Sequence, residues 1–211
     1  MKMLTFSHIS KTAGTSIEKS ALQNNIKWGK NAFEEIWKDV LKDCEYNFAK
    51  DSAHHIPISF CKSKELKNYI FSKYDFFTVV RNPYERCVSE YFCNYNQDKL
   101  TPANSKHVND YIKENIYNLS KNKYRSDAHF IQQNKYCYSK KILKFEKLQN
   151  NFDDYMISKN ISVRLNNLEN KSIKNKISLF DDTISLIQKI YYKDFELFNY
   201  NFNPPKYVKI I

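Results

Sequence analysis

The sequence predicts an α/β fold with three layers, a mostly parallel central sheet flanked by helices. Three observations lead there. YDFFTVV, residues 74–80, is apolar apart from Asp75 and Thr78 and ends β-branched, as in a parallel strand covered on both faces. MLTFSHI (3–9) and KKILKF (140–145) read as two further short strands. Helical periodicity fills most of the chain between and after them. The 211 residues suit one domain spanning 1–211, and a composition 42% hydrophobic with 15 Phe and 16 Tyr supplies an aromatic-rich core.

The first strand leads into TSIEKSALQNN (15–25), a helix that Thr15 could cap, with Glu18 completing a capping box. NAFEEIWKDVLKDC (31–44) is a second helix whose apolar face is Phe33, Ile36, Trp37, Val40 and Leu41. HHIPISF (54–60) reads as a loop or extended piece because Pro57 disfavours helix before it, and KSKELKNYIF (62–71) is a short helix. After the strand at 74–80, Asn82 at N-cap, Pro83 at N1 and Glu85 at N3 agree on a helix start. Residues 104–119 look helical. TISLIQKIYYKDFELFNY (183–200) is amphipathic, with Ile187, Tyr191, Phe195 and Phe198 on one side, and the tail from 201 is irregular or a terminal strand. The Asn/Lys-rich part at 158–176 reads as a mobile loop.

With 34 basic and 23 acidic residues the net charge is +11, which favours anionic partners without choosing among nucleotides, nucleic acid, acidic glycans and membrane surfaces. Five cysteines at irregular spacing suit free thiols in a reducing compartment better than a disulfide framework or a zinc finger. No apolar run reaches the length of a transmembrane span, and the start lacks a signal-peptide core. The expectation is a cytoplasmic or otherwise soluble protein, with lumenal origin left open to a trimmed chain. Ligand spacings give no metal site.

The chain holds only two glycines, and one, Gly14, lies in FSHISKTAGTSIEK at a strand-to-helix turn. The helix start offers unpaired N–H groups and a positive dipole end, Lys11 a full charge, and Thr12, Thr15 and Ser16 hydroxyl donors. Gly14 would allow close backbone approach or positive φ. Together they describe a phosphate or sulfate cradle, set against the plainer reading of a capped helix beside a surface lysine. The lysine precedes the glycine, unlike a Walker A loop. A second turn repeats the design. Arg81 closes the buried strand where α/β sheets hold ligands, and Ser89 follows two turns into the helix. Alternatively Arg81 or Arg86 pairs with Glu85 or Glu90. Two such turns suit a ligand with two separated anionic groups.

HISKTAGTS (8–16) and VVRNPYERCVSEY (79–91) resemble the two ordered signatures of the carbohydrate sulfotransferases, the group that includes the heparan and chondroitin enzymes. ILKFEKLQNNFDDY (142–155) and IQKIYYKDFELFNY (187–200) resemble later family segments, so the similarity covers most of the chain. The resemblance implies a sheet like that of P-loop nucleotide kinases and 3′-phosphoadenosine 5′-phosphosulfate (PAPS) as donor. Lys11, Thr12, Ala13, Gly14, Thr15 and Ser16 would hold its 5′-phosphosulfate, Arg81 and Ser89 its 3′-phosphate. Ser10 and Ala13 depart from the family's proline and glycine. The implied reaction moves a sulfuryl group to a carbohydrate hydroxyl, with Lys11 supporting the leaving phosphate and a histidine as general base. Relatives carry that base in the interval of His54 and His55, and His55 is favoured, against the plain reading of a hydrogen-bonding or surface histidine. His8 reads as structural or a neighbour of the site. His107 and His129 are lesser candidates. Arg125 and Gln132 are candidate acceptor contacts, Glu146 a candidate partner for Lys11 or a histidine, and Lys171 and Lys174 candidate anion contacts; for each, ordinary surface or loop chemistry is the alternative. The rival functions are a nucleotide-dependent phosphotransferase with a divergent loop and a non-enzymatic nucleic-acid binder.

Overall fold

The computed structural model describes residues 2–93, 104–165, 176–205 and 208–209. The chain divides into two compact units, each discontinuous in sequence.

The first comprises Met1–Val80, Ser126–His129 and Lys135–Glu169. It holds a parallel sheet of order β1-β2-β3, from β1 (Met3–Ser7), β2 (Tyr74–Val80) and β3 (Lys141–Lys144). The most apolar strand is central: Phe6 pairs in register with Phe77, and Val79 with Leu143. Helix α1 (Gly14–Gln23) follows β1, and α2 (Lys38–Asp43) and α3 (Lys64–Lys73) precede β2. The segment expected as one helix over 31–44 takes three gaits: a 3-10 turn at Gly29–Ala32, a π-helical turn at Phe33–Trp37, then α2. Ile36, Trp37 and Val40 still face inward, so the apolar stripe survives the change. Residues 54–60, read as loop, end one 3-10 helix (Lys50–His55) and form another (Ile58–Phe60) around Pro57. Ser63 caps α3 by accepting from the Leu66 N–H at 2.9 Å. The core joins Phe6, Ile17, Trp28, Phe77, Val79 and Phe152.

The second unit comprises Arg81–Arg125, Phe130–Asn134 and Asn170–Ile211. Its helices are α4 (Pro83–Tyr91) and α5 (Ser105–Ser120). Near the C-terminus lie α7 (Asp181–Ile190) and α8 (Tyr192–Leu197), with α6 (Leu148–Ser158) belonging to the first unit. A two-residue antiparallel pair joins β4 (Lys176–Ile177) to β5 (Val208–Lys209). The C-terminal amphipathic run is broken after Ile190, yet Ile187, Tyr191, Phe195 and Phe198 all point inward across the break. Ile187, Tyr191 and Phe195 meet Tyr84, Val88, Ile112 and Ile116 in a core of the unit's own.

Candidate functional site: a strand-to-helix turn and a buried histidine cluster

The first turn runs from β1 through His8–Ala13 into α1. Lys11 and Ala13 both have left-handed backbone, φ 61° and 69°. The Ala13 value explains the glycine of the family signature: the position demands a conformation that costs a Cβ-bearing residue about 1 kcal/mol or more. Ala13→Gly is therefore expected to raise stability by about 1 kcal/mol, less the extra entropy of glycine in the unfolded chain, read as a higher urea midpoint. Thr12 donates its hydroxyl to the Ile9 carbonyl at 2.7 Å, pinning the loop. Ser10, where relatives carry proline, donates to the His129 carbonyl at 2.7 Å. Lys11 is half-buried, Thr15 exposed and Ser16 buried.

The capping expectation fails here, and one of the two roles open to Gly14 falls away. Ala13, not Thr15, is the N-cap of α1, and no side chain caps the helix. Gly14 has no positive φ; its missing side chain makes room for His8, because a Cβ there would stand 1.9 Å from His8 Nε2. Glu18, expected to cap, turns inward and accepts from His8 Nδ1 at 2.7 Å and from the Lys30 N–H at 2.9 Å. The chain's other glycine, Gly29, clears space for that same carboxylate: at φ +52°, its Cβ would lie 1.8 Å from Glu18 Oε1. Both glycines thus serve one buried His8–Glu18 pair, 5% and 1% exposed.

Three more of the chain's five histidines gather around that pair. The His8 ring centroid is 4.3 Å from His55 and 5.1 Å from His54, His54 and His55 are 4.0 Å apart, and His129 is 4.8 Å from His55. The 3-10 helix that ends on the sequence neighbours His54 and His55 brings both rings into the cluster. His55 Nδ1 donates to the His8 carbonyl at 3.0 Å, and Tyr136 donates its hydroxyl to the His55 carbonyl. A carbonyl can only accept, so His55 carries its proton on Nδ1 and presents Nε2 as a lone pair. His107 is exposed on α5.

Burial governs the charges. It pushes His54 down to about 3 and His55 well below the ordinary histidine value, with neighbouring His8 adding to both. Burial alone would raise Glu18, but the charge and hydrogen bond of His8, aided by His54 and the Lys30 N–H, hold it below the usual carboxylate range. Folding stability should fall on acidification. His54 and His55 are depressed in the folded state, so their contribution is complete above about 6.5, the ordinary histidine value, and is lost as pH falls toward 3. The loss is on the order of a few kcal/mol. Glu18, also depressed, adds its own loss below the ordinary carboxylate value. Urea midpoints between pH 7.5 and 4 check this; a midpoint flat across that window contradicts it.

The second turn belongs to the other unit. Arg81, 2% exposed, directly follows β2. Gln133 clamps its backbone, accepting from the Arg81 N–H and donating to the Arg81 carbonyl, both at 2.8 Å. Arg81 Nε lies 3.4 Å from Glu85 Oε2, so the simple pairing expected as an alternative does form. Asn82 caps α4 by accepting from the Tyr84 N–H at 3.0 Å. Arg86 reaches the Ile131 carbonyl through both terminal nitrogens, at 3.0 and 2.7 Å. Asp194, fully buried and raised by that burial, accepts from the Gln133 and Asn134 N–H groups at 2.8 Å each. Ser89 is buried in α4. Arg125 donates to the Tyr111 hydroxyl and, at 3.2 Å, to Asn115 Oδ1. Gln132 Oε1 is buried without a hydrogen-bond partner. Glu146 is exposed in a 3-10 turn, and Lys171 and Lys174 lie outside the described residues.

Sequence reasoning missed Glu18, Gln133 and Asp194. For Glu18 a signal existed: in a chain with two glycines, each one marks a place where something must fit closely.

The sulfotransferase family model matches residues 2–201, which include both turns and the histidine cluster. The chain belongs to the sulfotransferase family. It is thus an enzyme of sulfuryl transfer, and the parallel sheet with flanking helices is the family's P-loop-like α/β fold. Neither the curated proteins nor the solved structures give a match. No helix among the described residues is long and apolar enough to cross a membrane.

Proposed function

We propose that the chain, acting as one sulfotransferase domain, moves a sulfuryl group from PAPS to a hydroxyl of a carbohydrate acceptor. The observation that carries the reading is the first turn. Helix α1 starts without a side-chain cap and without an acidic residue in its first turn, directly after a parallel strand, with Lys11 beside it. That is the donor set an anion needs: N–H groups, dipole and cation. The residues therefore fit the 5′-phosphosulfate, held by Lys11, Thr15, Ser16 and the backbone of Ala13 and Gly14, with Thr12 shaping the loop. Arg81 and Ser89 are assigned the 3′-phosphate on the strength of the second signature. PAPS, when bound, supplies the activated sulfuryl group.

The chain's own groups divide the remaining work. Lys11 stabilises charge building on the leaving phosphate oxygen. His55, with its lone pair on Nε2, accepts the acceptor's hydroxyl proton, and His54 is the second choice. Burial keeps both neutral in the free protein, the state in which they can take a proton. An anion in the adjacent turn would raise their proton affinity toward the working range. The family signatures point to a carbohydrate, and the +11 charge suits an anionic or already sulfated one.

Calorimetry with 3′-phosphoadenosine 5′-phosphate (PAP) and with ATP plus Mg²⁺ tests the donor class. Tight, metal-independent PAP binding is expected; preference for ATP with Mg²⁺ would replace the reading with phosphoryl transfer. His55→Ala is expected to lower kcat roughly a hundredfold while leaving PAP affinity within about twofold. Wild-type kcat in a folded His55→Ala protein would remove His55 from the role.

A further inference from the structure

Glu18 has no place in the site that either signature describes, yet room is made for it on two sides. It is 1% exposed, and both of the chain's glycines keep the His8–Glu18 pair free of a colliding Cβ. A carboxylate needed only to satisfy the Lys30 N–H would require no such room. Its other contact is His8 Nδ1, and His8 in turn supports His55 twice, through its carbonyl on His55 Nδ1 and through its ring edge at 71° against the His55 ring.

We propose that Glu18 is a positioning residue for the proton-accepting histidine, acting through His8. The chain of contacts is Glu18 carboxylate to His8 ring, then His8 carbonyl to His55 N–H. It fixes the tautomer and plane of His55, leaving Nε2 as acceptor, much as the third member of a catalytic triad orients its base. Glu18 also places a negative charge inside a cluster whose other titratable members are His8, His54, His55 and His129. Lys30 faces it through the backbone N–H and adds its own charge to the field at His54. Asp127 Oδ2 lies 3.8 Å from His129 Nδ1. The Glu18 carboxylate favours protonation of its neighbours, offsetting part of what burial removes.

The inference rests on the sulfuryl-transfer reading for its catalytic part and on the imidazole tautomers for its structural part, and the two are separable. In the full chain, Glu18→Gln keeps the volume and an acceptor for Lys30 but removes the charge. Expected are a kcat lowered roughly ten- to hundredfold, PAP affinity within about twofold of wild type, and an acid limb of kcat/KM moved to lower pH. Long-range ¹H–¹⁵N spectra of histidine-labelled protein should show His55 protonated on Nδ1 in the wild type, and His8 losing its single tautomer in Glu18→Gln. A purely structural Glu18 would change the urea midpoint while leaving kcat and the pH profile in place, which overturns the proposal. So would a wild-type His55 protonated on Nε2. Should Glu18→Gln fail to fold, Glu18→Asp keeps the charge but shortens the reach: kcat should fall with the acid limb unmoved, and unchanged kcat overturns the proposal. Failure of the functional reading looks different: no sulfuryl transfer by the wild type, with the tautomers as described.

Discussion

Lys11→Ala is expected to slow sulfuryl transfer by roughly two to three orders of magnitude and to weaken PAP binding about tenfold. The first turn has one lysine, no side-chain cap and no acidic residue at the helix start, so Lys11 is the full charge it brings to the leaving group. A preorganised donor aimed at charge that builds only in the transition state acts mainly on kcat, which separates this lesion from loss of simple affinity. The loop itself should survive. Lys11 sits at φ 61°, and alanine tolerates that conformation no worse than lysine does. Lys11→Arg keeps the charge with a different fork and is expected to recover only part of kcat. Saturation kinetics with radiolabelled PAPS, alongside the urea midpoint, decide it. A folded Lys11→Ala protein within threefold of wild-type kcat would remove Lys11 from the chemistry.

How much of this was legible in the sequence depended on whether local or distant forces set each element. Strand β2 occupies 74–80 as read, because a mostly apolar, β-branched run bounded by helix signals leaves few alternatives. The start of α4 followed from Asn82 and Pro83, whose effects are confined to one turn. The inward side of the C-terminal run held even across the break after Ile190, since apolar spacing constrains burial more tightly than it constrains helix continuity. Glu18 shows the opposite case. Its spacing from Thr15 satisfied a capping rule worth about 1 kcal/mol, and a buried partner outcompeted it. That partner, His8, is ten residues away, and no periodicity announces it. The cluster is harder still, since His55 meets His8 across 47 residues. Gln133 and Asp194 likewise act on backbone groups 52 and 61 residues distant. Polar clamps of that range leave no trace in local pattern, whereas apolar faces do.

Gly14→Ala is expected to destabilise the protein by about 3 kcal/mol or more, and the reason lies in His8, not in the backbone. The added Cβ would stand 1.9 Å from Nε2, 2.1 Å from Cδ2 and 2.4 Å from Cε1 of the His8 ring, which Glu18 holds in place. Truncating the ring should therefore remove the penalty. His8→Ala alone costs several kcal/mol by stranding the buried Glu18, but Gly14→Ala added on top of it should cost little more. Additive losses in urea unfolding would show that the collision with His8 is not what requires glycine. If Gly14 served only close approach of a ligand, Gly14→Ala would weaken PAP binding and leave the midpoint alone. Gly29 should behave differently. Glu18→Ala removes the carboxylate that its Cβ would strike at 1.8 Å, but the backbone stays at φ +52°. Gly29→Ala in that background should keep a residual cost of about 1 kcal/mol, because there the glycine answers both to a neighbour and to its own conformation.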